Sequence, residues 1–183
     1  MTKVLIVAGD AVEAQEIFYP YWRLKEEGFE VKVAAPTKKK LYTVVHDFEE
    51  GIETYTEKPG YGFGWVDMAF KEVNPEEFDG LFIPGGRAPE YMRIYPELEG
   101  IVKHFFEKDK PVAVICHGPL VLLAYDLVKG RTLTAYMVLK PDIERAGGKY
   151  LDQEVVVDGK LVSSRAWPDL PALLREFIKL LKA

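Results

Sequence analysis

The sequence predicts an α/β fold, a doubly wound, flavodoxin-like sandwich of three layers with a mainly parallel sheet. Three observations carry that prediction. Short apolar runs alternate with segments of helical period. The runs are apolar at consecutive positions, as strands buried on both faces must be. One of them feeds directly into a Cys-His-Gly-Pro turn, the strand-to-helix corner of a nucleophile elbow.

The elements follow in order. Val4-Leu5-Ile6-Val7-Ala8 is a buried strand that ends at Gly9-Asp10. From Glu13 to Glu27, Ile17, Phe18, Tyr21 and Leu24 recur at helical spacing, and Gly28 supplies the stop. Val31 to Ala35 is a second strand closed by Pro36, and this β-α-β start predicts a right-handed crossover between parallel strands. Residues 41–74 change texture, with short alternating runs that predict small strands or a hairpin and an Ω-like excursion through Lys58 to Gly64. Gly80-Leu81-Phe82-Ile83 resumes the parallel sheet and ends in Pro84-Gly85-Gly86, a glycine pair that permits close backbone approach and turns N–H groups toward a ligand. Helical signals cover residues 96–108.

The elbow strand, Val112 to Ile115, leads through Cys116-His117-Gly118-Pro119 into a helix to about residue 128. Gly118 leaves room where the helix begins, and Pro119 is pre-set for a first helical turn. A helix N-terminus favours an anion, so this position is expected to lower the pKa of the Cys116 thiol. Thr132 to Tyr136 reads as another strand, and a short helix through Ile143 to Ala146 stops at Gly147-Gly148. Val155 to Val157, turning at Asp158-Gly159-Lys160 into Leu161 to Ser164, is a hairpin. An amphipathic helix over 168–182 ends the chain.

A chain of 183 residues, 48% hydrophobic, suffices for one well-buried core and is read as one domain over residues 1–183. A formal net charge of −5, with no basic run longer than Lys38-Lys39-Lys40, argues against nucleic-acid binding. The single cysteine excludes an intramolecular disulfide, and no apolar run has the length of a membrane span or signal peptide. A reducing, cytoplasmic setting is the expectation. His46 and His104 stand isolated in the sequence, and no His/Cys/Asp/Glu spacing points to a metal site.

Ligands of such sheets bind beyond the carboxyl ends of the strands. The chemistry is therefore expected where Asp10 to Glu16, Gly85-Gly86 and Cys116-His117 converge. Cys116 is the nucleophile candidate. Glu16 is followed by Ile17-Phe18-Tyr19 and so lies near a buried face, where a carboxyl kept neutral can donate to a thiolate. His117 is the candidate base. Asp10 and Glu13 read as loop or cap carboxylates at the rim of the pocket.

Glu16 four residues before Pro20, Ile83-Pro84-Gly85-Gly86-Arg87-Ala88-Pro89-Glu90, Ile115-Cys116-His117-Gly118-Pro119 and the ending Val155 to Gly159 with Ser163-Ser164-Arg165 together resemble the ThiJ/PfpI superfamily, with its class I glutamine amidotransferase-like fold. The resemblance covers nearly the whole chain. Residues 45–63 resemble the branch that includes plant glyoxalase III proteins, and residues 73–79 and the chain end look closer to the PfpI intracellular proteases. The resemblance implies Cys116 as nucleophile, Glu16 as a protonated partner of its sulfur, and His117 as the histidine of the PfpI branch. It also implies that Glu90 orients that histidine from a neighbouring subunit, and that the N–H groups of Gly86 and His117 form an oxyanion hole. Tyr136 stands in the pocket, with Gly85, where other branches place a histidine. Val114, two before Cys116, is larger than the small residue many elbows carry and predicts a more crowded turn.

Three functions follow as expectations. The first is a cofactor-independent enzyme of glyoxalase III or deglycase type, taking small reactive carbonyls such as methylglyoxal to 2-hydroxy acids such as lactate. The second is a PfpI-type cysteine peptidase acting on peptides, its Cys-His-Glu triad completed across a homo-oligomer interface in a dimer, trimer or hexamer. The third is a redox-sensing stress protein or holdase in which Cys116 oxidises.

Overall fold

Burial of consecutive apolar residues decides which strands form the centre of the sheet. The computed structural model describes residues 1–183. β1 (Lys3–Val7) is buried from Val4 onward, and a left-handed Ala11 turns the chain into the two-residue β2 (Val12–Glu13). α1 (Ala14–Glu26) starts where the Glu13 side chain accepts the Gln15 N–H at 2.9 Å, an N-cap made by a buried carboxylate. β3 (Glu30–Ala35) returns to pair in parallel with β1.

The segment after β3 departs from expectation. β4 (Leu41–Asp47) and β5 (Thr56–Phe63) form an antiparallel hairpin, so Lys58 to Phe63 are paired strand where the glycines suggested an Ω-like loop. A register shift between Tyr42 and Val44 accommodates those glycines, and β2 joins β4 in parallel to make a separate three-stranded sheet. β6 (Met68–Ala69) then adds two residues alongside β3.

β7 (Gly80–Ile83), α2 (Ala88–Met92), α3 (Pro96–Glu107), β8 (Val112–Ile115) and α4 (Pro119–Ala124) carry the chain through the core to the elbow and beyond. Every residue of β7 and β8 is buried, so both faces of the sheet are covered. α4 ends at Ala124, four residues short of the expected limit, because Asp126 takes a left-handed φ of 57°.

β9 (Thr132–Leu133) is shorter than predicted. Thr134 N–H leaves the strand direction to donate to Ser163 Oγ at 2.9 Å, and Tyr136 N–H donates to the Cys116 carbonyl at 3.0 Å. These two bonds draw residues 134–136 toward the elbow. α5 (Lys140–Arg145), β10 (Lys149–Tyr150), the hairpin of β11 (Val156–Asp158) with β12 (Leu161–Ser164), and α6 (Leu170–Lys182) complete the chain.

The main sheet has seven strands in the order β11-β12-β8-β7-β1-β3-β6, parallel except for β11. This is the doubly wound α/β architecture that the alternating pattern predicted. Phe82 of β7 meets Phe177 of α6 with ring centroids 6.1 Å apart, and both side chains are fully buried. Phe82→Ala is expected to cost about 3–5 kcal/mol of unfolding free energy. Urea titration would show this as a lower midpoint at an unchanged slope.

Candidate active site around Cys116

The elbow is built by steric exclusion. Cys116 has a left-handed φ of 61°, a conformation that costs a residue with a β-carbon about 1–3 kcal/mol. Two hydrogen bonds hold it there: its N–H donates to the Ser164 carbonyl at 3.2 Å, and its carbonyl accepts the Tyr136 N–H at 3.0 Å. Gly118 makes the following corner possible. A β-carbon on it would stand 2.6 Å from Val114 Cγ2 and 2.9 Å from the carbonyl oxygens of Ile115 and Ile83. The crowding expected from Val114 is real, and the absence of a side chain at residue 118 absorbs it.

The sulfur of Cys116 lies 3.2 Å from His117 Nδ1 and faces the backbone N–H groups of Gly86 and His117. Glu16, on the first turn of α1, is fully buried; its Oε1 accepts the Gly85 N–H at 2.9 Å, and its carboxyl lies against the sulfur. Only glycine fits at residue 85, since a β-carbon there would come within 2.6 Å of both Cys116 Cβ and Glu16 Oε1. Gly86, at a φ of 78°, bridges to Val12 of β2 and so locks the glycine pair to the segment that carries Glu13 and Glu16.

Burial dominates the electrostatics. It holds the Glu16 carboxyl well above the usual range, and the neighbouring Glu13 adds repulsion. Glu13, also fully buried, is raised to about 7 by burial, with Oε1 capping α1 and Oε2 unpartnered. His117 is lowered to about 4, first by burial and then by the nearby His46. The Cys116 thiol is pushed up by burial and next by Glu16, while the two backbone N–H groups pull the other way. This differs from the lowering expected from the helix N-terminus: α4 is only six residues long, and burial of Cys116 acts in the opposite direction. The resting set is a thiol, a neutral imidazole and a protonated carboxyl.

A family model described as DJ-1/PfpI matches residues 2–180. The chain belongs to the DJ-1/PfpI family. It is 48% identical over 180 residues to a deglycase of Pyrococcus abyssi, covering 98% of this chain and 99% of that protein. To the deglycase PfpI of Pyrococcus furiosus it is 46% identical over 180 residues, with the same coverage. Among solved structures, a two-domain protein of Anabaena variabilis with DJ-1/ThiJ/PfpI-like and ferritin-like domains matches with a TM-score of 0.85 at 34% identity, over all of this chain and 48% of that one.

Within this member of the DJ-1/PfpI family, the other expected residues fall unequally around the sulfur. Tyr136 is nearly buried, its ring 5.3 Å from that of His117 and 5.6 Å from that of Tyr55. Phe48 stacks between Tyr136 and Trp167, closing an aromatic wall. Asp10 stands outside the pocket, where it pairs with Lys39 and accepts the Tyr42 N–H at 2.9 Å. Lys39 of the lysine run is thus an ion-pair partner at the surface. Glu90 is exposed on α2 and makes no hydrogen bond to His117 within the chain. No group of three His, Cys, Asp or Glu side chains is placed to hold a metal ion. No helix is long and apolar enough to cross a membrane.

The sequence reading missed His46, Glu57, Arg87 and Tyr55. His46 is 2% exposed, with Nε2 2.9 Å from Glu57 Oε2, so it is not the isolated histidine it looked. A signal existed: pairing β4 with β5 sets His46 directly opposite Glu57, and the loop reading of Lys58 to Gly64 concealed that register.

Glu13 gives a pH test of the buried pair. Its folded pKa, about 7, lies above the ordinary 4.5, so folding gains least from this group at high pH. The unfolded chain releases the proton near 4.5 and the folded chain holds it to about 7, so stability falls as pH rises through that window. Urea unfolding at pH 4.5 and pH 7.5 is expected to show a smaller fall for Glu13→Gln than for wild type.

Proposed function

We propose that this chain is a cysteine-dependent enzyme of the glyoxalase and deglycase type, acting on small α-oxoaldehydes such as methylglyoxal and yielding 2-hydroxy acids such as lactate. The observation that carries the reading is the setting of one thiol between two backbone N–H groups and a buried carboxyl. The deglycase names of its relatives agree with an enzyme of this class.

The residues present suit each step. The Cys116 sulfur adds to the aldehyde carbon as its proton passes to His117 Nδ1, 3.2 Å away. The carbonyl oxygen becomes a hemithioacetal oxyanion facing the N–H groups of Gly86 and His117. His117 returns its proton to that oxygen, giving the neutral hemithioacetal, and then carries the hydrogen of the former aldehyde carbon to the neighbouring carbon. The protonated Glu16 gives its hydrogen to the former ketone oxygen and takes up the hemithioacetal hydroxyl hydrogen, leaving a thioester of the 2-hydroxy acid. Water then splits the thioester, releases the acid and returns the thiol. The sum is oxoaldehyde plus water to 2-hydroxy acid, with no external oxidant and no cofactor in any step.

The burial of Cys116, with Tyr55 and Tyr136 close to its sulfur, supports a small substrate. The close Cys116-His117 pair favours a peptidase as the second reading. That reading needs a carboxylate for His117, supplied by Glu90 of another copy in a homo-oligomer, because Glu90 does not reach it within one chain.

Lactate formation from methylglyoxal, assayed beside cleavage of a fluorogenic peptide, tests both. Wild type is expected to form lactate without added cofactor, and Cys116→Ala to lose at least about 10³-fold of that rate while keeping its fold. Peptide cleavage without lactate formation, lost in the same variant, would replace this reading with the peptidase. Inertness toward both substrates would overturn both.

A further inference from the structure

Beside His117 lies a second imidazole that the steps above leave unused. Arg87 Nε donates to Glu57 Oε2 at 2.7 Å, and His46 Nε2 is 2.9 Å from the same oxygen. The Arg87 guanidinium keeps Glu57 ionised, so Glu57 can only accept and His46 Nε2 must carry the hydrogen. That assignment leaves His46 Nδ1 a bare acceptor, and it is buried without a partner. The His46 ring stands 6.3 Å from the His117 ring at 80°, with the Tyr55 ring beside both at 4.3 and 5.5 Å.

The Arg87–Glu57–His46 chain is anchored at both ends. The β4–β5 register fixes His46 against Glu57, and Trp167 Nε1 donates to the His46 carbonyl at 2.7 Å. Arg87 directly follows the glycine pair that faces the sulfur, and its N–H donates to the Ala11 carbonyl at 2.9 Å. His117, for its part, must present a bare Nδ1 to accept a thiol proton, so its hydrogen belongs on Nε2. The only side chain hydrogen-bonded to His117 is Cys116, and no carboxylate of this chain holds its Nε2.

We infer that His46, fixed by Glu57 and Arg87, is a positioning residue that keeps His117 in the tautomer and orientation that reach the Cys116 sulfur. It does so by packing a neutral imidazole at 80° to the His117 ring, 6.3 Å between centroids. The inference rests on the reading of Cys116 and His117 as the reactive pair, and His46 acts through His117 without touching substrate.

With three histidines and one cysteine in the chain, both partners are directly readable. The experiment compares wild type with His46→Phe, His46→Gln and Glu57→Gln. Its readouts are imidazole 15N chemical shifts, the rate of Cys116 alkylation by iodoacetamide, and kcat and KM for methylglyoxal. His46→Phe is expected to move the His117 signals away from the Nε2–H tautomer and leave those of His104 in place. Alkylation and kcat should both slow about tenfold with KM nearly unchanged, short of the ~10²-fold cost of an ångström-scale misplacement. His46→Gln, which can still donate to Glu57 and offer an acceptor, should recover most of that loss. Wild-type His117 shifts and a wild-type alkylation rate in folded His46→Phe would overturn the inference. If circular dichroism shows His46→Phe unfolded, Glu57→Gln decides on the same two readouts. Absence of methylglyoxal turnover in wild type would defeat the functional reading alone, because the tautomer and the alkylation rate still decide the role of His46.

Discussion

The hydrogen bond from the Gly85 N–H to the Glu16 carboxyl ties the site together. It joins the first turn of α1 to the loop after β7, two segments 69 residues apart, and it does so at the sulfur of a third. A buried carboxyl is tolerated only when hydrogen-bonded or neutral, and Glu16 is both: it accepts from Gly85 and keeps its own proton. The strained φ of Cys116, the bare α-carbon of Gly85 and the left-handed turn at Gly86 are all consequences of bringing these three segments within contact. A parallel sheet makes this geometry available, because the carboxyl ends of β1, β7 and β8 open on the same side.

That same constraint sets the terms for the proposed reaction, which has to form a thiolate in a site of modest polarity. Burial opposes charge on Cys116, His117 and Glu16 alike, so no single group is poised by itself. The proposed reaction therefore uses the set as a unit in which one proton moves while total charge stays low. In that reaction the N–H groups of Gly86 and His117, which face the sulfur, would meet negative charge where it develops, without the reorganisation that water requires.

The sheet was legible from the sequence because fully buried parallel strands leave unbroken apolar runs, and Val4 to Val7, Leu81 to Ile83 and Val112 to Ile115 all lie where those runs placed them. The elbow was legible because Cys-His-Gly-Pro after such a run has few structural alternatives. Less visible was whatever depended on pairing between segments. Glycines at 60, 62 and 64 read as a loop, although β5 uses the first two in a hairpin whose β4 partner supplies His46. Thr134 to Tyr136 has strand composition, but hydrogen bonds to Ser163 and Cys116 override that local preference. The thiol pKa was misjudged in sign because helix position shows in a sequence and depth of burial does not.

The ends of the seven-stranded sheet have a consequence for how copies of this chain can meet. One margin is β6, two residues long, and the other is β11, three residues long and already the outer arm of a hairpin. Unpaired backbone at a sheet margin is what recruits foreign strands into extended ladders and aggregates, and the seven-stranded sheet offers almost none of it. Self-association by continuing the seven-stranded sheet is thereby discouraged. The longest exposed margin left is that of the three-stranded sheet, and it belongs to the hairpin that carries His46 and Glu57.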